Sequence, residues 1–287
     1  MNIEQKLEKL KRVAEQMNIG SLTPEQKAKF RAELLKIRET AIQTNRIAYW
    51  KPYAWQSRAG DVVRKKSITL AVSSNKIGKS TLGVNTIYSW AQGYEPWSPE
   101  ASGIAAGNGF YRESSLGIKP PVDLIIVGED WKLHLGKTIV REMKKWYPQN
   151  YETKKNEQGV EYYWVFPNRS TITLMCYSQD DDLFESFRAQ GVLMDEPPPQ
   201  SKFSAMSRGL LLDCGKVLMT LTPLKEAWIL DELVLSGRSD IGIVDGLNIL
   251  ANEDLAKEEQ KTLESMGLSE SQIKMYWDLL FYKDTAA

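Results

Sequence analysis

Ile68-Thr69-Leu70-Ala71-Val72 is a continuous apolar run of strand length. It is followed at once by Ser73-Ser74-Asn75-Lys76-Ile77-Gly78-Lys79-Ser80-Thr81 and then by a helix-like segment. The order of strand, tight loop and helix constrains the fold more than any other feature. It places a row of backbone N–H groups and a helix N-terminus, with the positive end of its dipole, over one spot at the end of a strand. Such a spot holds phosphate. Lys79 would reach the β- and γ-phosphates of a nucleotide, and the Ser80 hydroxyl would ligate Mg²⁺. The pattern usually opens on Gly, whereas Ser73 stands there. The alternative is an Asn/Gly turn leading into a basic helix start.

A second run, Gly191-Val192-Leu193-Met194-Asp195-Glu196, is a short buried-looking strand ending in two acids. Asp195 at a strand end beside the loop is placed to hold the metal, and Glu196 to orient and deprotonate water. Taken alone the pair could be a strand terminus before Pro197-Pro198-Pro199. Together with Gly-Lys-Ser it predicts an ATP-hydrolysing phosphate-loop domain. The absence of an Asn-Lys-x-Asp guanine reader argues against GTP.

Lys+Arg and Asp+Glu both number 37, so net charge announces no nucleic-acid partner, although patches matter more than totals. Cys176, Cys214 and the single His134 lack zinc-ligand spacing. A reducing, cytoplasmic setting fits, and no apolar run reaches membrane-spanning length.

Along the chain, residues 1–45 read as a helical hairpin. Ile3, Leu7, Leu10, Val13 and Met17 share one face. Thr23-Pro24-Glu25-Gln26 supplies a cap and capping box, and Phe30, Leu34 and Ile37 continue the apolar stripe. The hairpin is expected to pack on the main domain or on a partner subunit. Residues 46–245 form the core and residues 246–287 a helical tail. Gln56, within Lys51-Pro52-Tyr53-Ala54-Trp55-Gln56, can read both edges of adenine through its amide while an aromatic stacks on the ring; Tyr53 and Trp55 are otherwise expected to pack in the core. Gly93 to Pro121 is a long irregular tract. A strand is expected at 122–127, a helix at 131–147, and a hairpin from Tyr162–Phe166 and Thr171–Met175 around Pro167-Asn168-Arg169-Ser170. Lys216–Pro223 is a further strand, with helical, polar sequence beyond it. The expected fold class is α/β: a RecA-like (ASCE) phosphate-loop NTPase, its mainly parallel sheet flanked by helices.

In this order the motifs resemble the ATPase half of a tailed-phage terminase large subunit. Lys51–Gln56 resembles the adenine-side Q motif. Ser74-Asn75-Lys76-Ile77-Gly78-Lys79-Ser80 resembles a deviant Walker A, Leu193-Met194-Asp195-Glu196-Pro197-Pro198 a Walker B, and Thr220-Leu221-Thr222-Pro223 a coupling motif. The resemblance covers roughly Trp50 to Pro223. It implies ATP and Mg²⁺ as cofactors, and double-stranded DNA, further copies of the chain in a ring, a portal and a small terminase subunit as partners. It also implies work in the cytoplasm of an infected bacterial host. Ser73 to Thr81 with Gln56 would bind nucleotide, Ser80 and Asp195 metal, and Glu196 and Lys79 would be catalytic. Thr220 and Thr222 would couple hydrolysis to movement. The family's arginine finger falls best on Arg188, with Arg141, Arg169 and Arg112 as rivals. The family's second, nuclease domain is not expected in a chain ending at Ala287. Sequence-independent DNA contact would use Lys144, Lys145, Lys154, Lys155 and Arg169, each of which also reads as part of a solvated charged face. A helicase-like DNA-dependent ATPase and a non-hydrolysing nucleotide-binding assembly module are the alternatives.

Overall fold

The computed structural model describes residues 23–73, 77–97, 118–212, 215–222 and 226–246, with scattered positions between 257 and 274. Eight strands form one sheet. They are β1 (Ile68–Val72), β2 (Asp123–Gly128), β3 (Glu152–Lys155), β4 (Glu161–Val165), β5 (Thr171–Cys176), β6 (Gly191–Asp195), β7 (Lys216–Leu221) and β8 (Ile241–Asp245). Their spatial order is β3-β4-β5-β2-β6-β7-β1-β8. The six strands from β5 to β8 in that order pair in parallel, and β3 and β4 add an antiparallel edge. The strand that ends in Asp195, β6, is therefore separated from β1 by one strand, β7.

Strands β1 and β6 are buried at every position and β2 and β7 at all but the first. Both faces of the sheet are covered, so these strands read as unbroken apolar runs and not as alternating ones. Period-two geometry nevertheless divides them. Leu124, Ile126, Leu193 and Leu218 join one core with Trp90, Leu135 and Trp164. Ile125, Val127, Val192, Met194, Val217 and Met219 face the other, with Phe184, Phe203 and Ile229.

The helices are α1 (Pro24–Thr44), α2 (Ala54–Lys65), α3 (Lys79–Gln92), α4 (Val140–Trp146), α5 (Asp181–Ser186) and α6 (Gln200–Leu212). The capping box of α1 is present: Thr23 N–H donates to Gln26 Oε1 at 2.9 Å and Gln26 N–H to Thr23 Oγ1 at 3.2 Å. Its apolar stripe does not pack on the main domain as expected. Leu34 is 38% exposed, Phe30 and Ile37 are only half-buried, and Ala41 is the one buried residue of α1. The partner half of that expectation is untouched by this, and Ile3 to Met17 lie outside the described residues.

Two strands were not legible. β3 is Glu-Thr-Lys-Lys, wholly exposed, and exists because β4 pairs with it; charge on an edge strand discourages further pairing. β8, where a polar helical region was expected, is a short half-buried strand with Gly242 inside it, paired to β1. The helix expected at 131–147 begins as a π-helix, Trp131–Ile139, before continuing as α4.

Candidate functional site

The parallel sheet brings the motifs to one edge, because the C-terminal ends of β1, β6 and β7 lie side by side. Ser73, just past β1, is buried, and its N–H donates to Leu221 O at 3.1 Å. Gly78 caps α3 in the left-handed region at φ 94°. A side chain there would be strained and would displace the Gln56 amide. The backbone conformation favours Gly, and a Cβ would stand 2.9 Å from Gln56 Nε2. The Lys79 ammonium, buried, donates to Ser73 O at 2.9 Å and to the Thr222 hydroxyl.

Asp195 ends β6 with both carboxylate oxygens occupied. Oδ2 meets Ser80 Oγ at 3.1 Å and His134 Nε2 at 2.9 Å, while Oδ1 accepts from the Thr220 hydroxyl. Glu196 follows with φ 71°, a conformation that costs a non-glycine residue about 1–3 kcal/mol. Three bonds hold it there. Its N–H donates to Thr220 O at 2.8 Å, its carbonyl accepts from Tyr177 OH at 2.9 Å, and Oε2 accepts from Thr222 N–H at 3.2 Å. Burial pushes the Glu196 carboxyl above its ordinary range. Lys79 opposes that shift and Asp195 adds to it. A raised carboxyl within reach of a cation suits a general base.

Ser80 and Asp195 present a hydroxyl and a carboxylate oxygen to one point, the hard oxygen donors that Mg²⁺ selects, so the residues present fit that ion. On the other side of Gly78 opens a cavity of 760 Å³, lined by Trp50, Tyr53, Gln56, Lys145 and Trp146 among others. Gln56 is 2% exposed and spends both ends of its amide within the chain: Oε1 accepts from Tyr53 N–H at 2.8 Å and Nε2 donates to Gly78 O at 2.9 Å. It braces the loop against α2. It also lines the cavity itself. Tyr53, expected in the core, is 65% exposed, whereas Trp55 is buried.

Glu142 on α4 was not foreseen. It accepts from Thr81 Oγ1 at 2.9 Å, Lys145 Nζ at 3.0 Å and Trp146 Nε1 at 3.0 Å, tying the residue after Ser80 to the cavity wall. Burial raises the Glu142 carboxyl pKa, but these three donors outweigh it and hold the group below its ordinary value. The spacing of Glu142 from Lys145 and Trp146, on one helix face, is the signal that could have found it. His134, which lacks zinc-ligand spacing in the sequence, meets Asp195 instead. Burial lowers its pKa, and the Asp195 hydrogen bond with the charges of Asp195, Glu196 and Glu129 raises it more.

Other expected site residues are not gathered. Arg188 is exposed and precedes β6, so the length of a five-residue strand, about 15 Å, separates it from Asp195. From that position it cannot serve the site of its own chain. Lys144 pairs with Glu161 at 2.8 Å. Lys154 and Lys155 lie on β3 at the same sheet edge as Asp195, whereas Arg169, in the β4–β5 turn, lies at the opposite edge. The five cations thus form no single patch. Ser74, Asn75, Lys76 and Arg112 lie outside the described residues, whereas Ile77 packs partly buried against the core.

No protein-family model and no curated protein matches the chain. Among solved structures it is similar to the large terminase from a thermophilic bacteriophage, with a TM-score of 0.49 and 15% identity over 68% of this chain and 46% of that one. The complex of that protein with ADP gives a TM-score of 0.47 at 15% identity, over 73% of this chain and 50% of that one. Its complex with ATP-gamma-S gives 0.44 at 15%, over 68% and 44%. The chain spans about half the length of the terminase chains it matches.

Proposed function

We propose that residues 46–245 are the ATP-hydrolysing motor of a viral DNA-packaging terminase, converting ATP and water to ADP and phosphate to move double-stranded DNA. Residues 1–45 and 246–287 flank that core in sequence. The observation that carries the reading is the meeting of Ser80 with Asp195 at 3.1 Å, while Lys79 and Glu196 converge on Thr222 beside them. The packaging role rests on the order of the four motifs in the sequence.

Ser80 and Asp195 would hold Mg²⁺, which when bound supplies charge neutralisation at the phosphates. Lys79 exchanges its Ser73 and Thr222 partners for phosphate oxygens. Glu196, held at a fixed angle by Tyr177 and Thr220, orients the attacking water and takes its proton. Thr222 touches both Lys79 and Glu196, so it registers the loss of the terminal phosphate and passes it to the chain that follows β7. The 760 Å³ cavity takes the base. An arginine from a neighbouring copy in the ring, for which Arg188 is our candidate, would add about 10³–10⁵ in rate. DNA is gripped through phosphates, with Lys154 and Lys155 on the site's own edge.

Glu196→Gln tests the chemistry. Labelled ATP should remain bound while phosphate release falls about 10²–10⁴-fold. Wild-type turnover in that variant removes Glu196 from the mechanism. Strand separation activity on duplex DNA would turn the reading toward a helicase.

A further inference from the structure

His134 reaches the same carboxylate as Ser80 from a third element, and its surroundings fix it there. Its Nδ1 accepts from the Glu129 N–H at 2.9 Å, which sets the tautomer of the neutral ring and leaves the hydrogen on Nε2. Nε2 then donates to Asp195 Oδ2 at 2.9 Å, with the His134 side chain only 10% exposed.

The backbone beneath is held too. Asp130 accepts from the N–H groups of Leu133 at 2.6 Å and His134 at 3.2 Å. Leu135 N–H closes a π-helical turn on Asp130 O at 2.9 Å. Such turns are rare and often mark functional positions. Gly128 ends β2 directly under the ring, where a Cβ would stand 3.0 Å from Nδ1. Because β2 pairs with β6 in register, Val127 opposite Met194, the segment after β2 arrives beside Asp195.

We propose that His134 is the positioning residue for Asp195, holding that carboxylate through an Nε2–H donor so that it faces the Ser80 hydroxyl, the pair that would hold a divalent cation. This rests on the ATPase reading above. Both ring nitrogens are engaged, so His134 acts through Asp195 and not as a ligand. Asp195 is clamped from three directions: α3 through Ser80, β7 through Thr220, and the π-helical segment through His134. Partners that orient a metal ligand typically change metal affinity or activity by about 10–100-fold when lost.

The chain has a single histidine, so its ring can be observed without assignment. ¹⁵N NMR of the wild-type protein should show hydrogen on Nε2, and Asp195→Asn should shift that nitrogen. Hydrogen on Nδ1, or no response to Asp195→Asn, overturns the contact. Binding of a fluorescent ATP analogue is then titrated with Mg²⁺ and repeated in EDTA. His134→Leu should raise the Mg²⁺ half-saturation about 10–100-fold while binding in EDTA stays within about twofold. His134→Gln, whose amide can donate to the same oxygen, should restore it to within about threefold of wild type. Unchanged Mg²⁺ dependence in His134→Leu, or equal damage in a His134→Gln protein that melts like wild type, overturns the proposal. Wild-type protein that binds no nucleotide with or without Mg²⁺ overturns the ATPase reading and this role together. The NMR result, which needs no nucleotide, separates that outcome from a missing His134–Asp195 contact.

Discussion

The two ends of the groove around Gly78 are built on different principles. At the phosphate end, Lys79, Ser80, Asp195, Glu196, Thr220 and Thr222 form a chain of directed hydrogen bonds with almost no slack. At the other end the wall is aromatic and cationic. Trp50 packs edge-on to Trp97 at 4.6 Å and to Trp146 at 6.3 Å, and the Lys145 ammonium lies 5.3 Å from the Trp146 ring. Charge that must be met at fixed angles needs fixed donors, because a buried polar group without its partner costs about 1–3 kcal/mol. A flat ring needs only a surface of the right shape. The first end is intolerant of substitution and the second graded.

Substitutions can break or sharpen that contrast. Lys79→Ala removes the buried ammonium that lies against the loop and should lower kcat/KM for ATP by about 10³-fold or more, read as phosphate release. A loss below about tenfold would show that the triphosphate lies elsewhere. Asp195→Asn sets an amide nitrogen against donors on both sides. It should cost about 10²-fold in turnover while leaving nucleotide binding in EDTA unchanged. Trp146→Ala takes away a face of the cavity; KM for ATP should rise about tenfold, near 1.4 kcal/mol, with kcat nearly constant. An equal fall in kcat would mean that the two ends are not independent. Glu142→Gln is the mildest. It releases Lys145 and loosens Trp146, and KM should rise about threefold, within the range of one weak ion pair. An effect as large as that of Trp146→Ala would identify Thr81–Glu142 as a rigid link between the ends.

The same division decided what could be read from the residues in order. Phosphate chemistry needs a short contiguous loop, so Gly78-Lys79-Ser80 stood out, as did Asp195-Glu196 at the end of an apolar run. The β4–β5 hairpin was visible for the same reason, since its turn residues are local. His134 and Glu142 carry no such local signature. Their meaning depends on a π-helical turn that aims one at Asp195 and on the helix α4 that sets the other against Thr81. Gln56 was legible as belonging to the site, yet its two amide partners, Tyr53 N–H and Gly78 O, are set by how α2 lies against the loop. β3 and β8 were missed because pairing, and not composition, makes them strands.

Residue order alone determined the α/β class, the strand–loop–helix unit around Gly78 and the acidic strand end, because each depends on neighbours within a few positions. The tertiary structure decided which strand separates β1 from β6, which edge each cation occupies, and what clamps Asp195. Those are contacts between segments tens of residues apart, and they form only when a parallel sheet aligns the ends of its strands. Arg188 shows the limit most clearly. Seven residues from Asp195 in the chain, it is carried to the far edge by the very strand that delivers the acid to the near one.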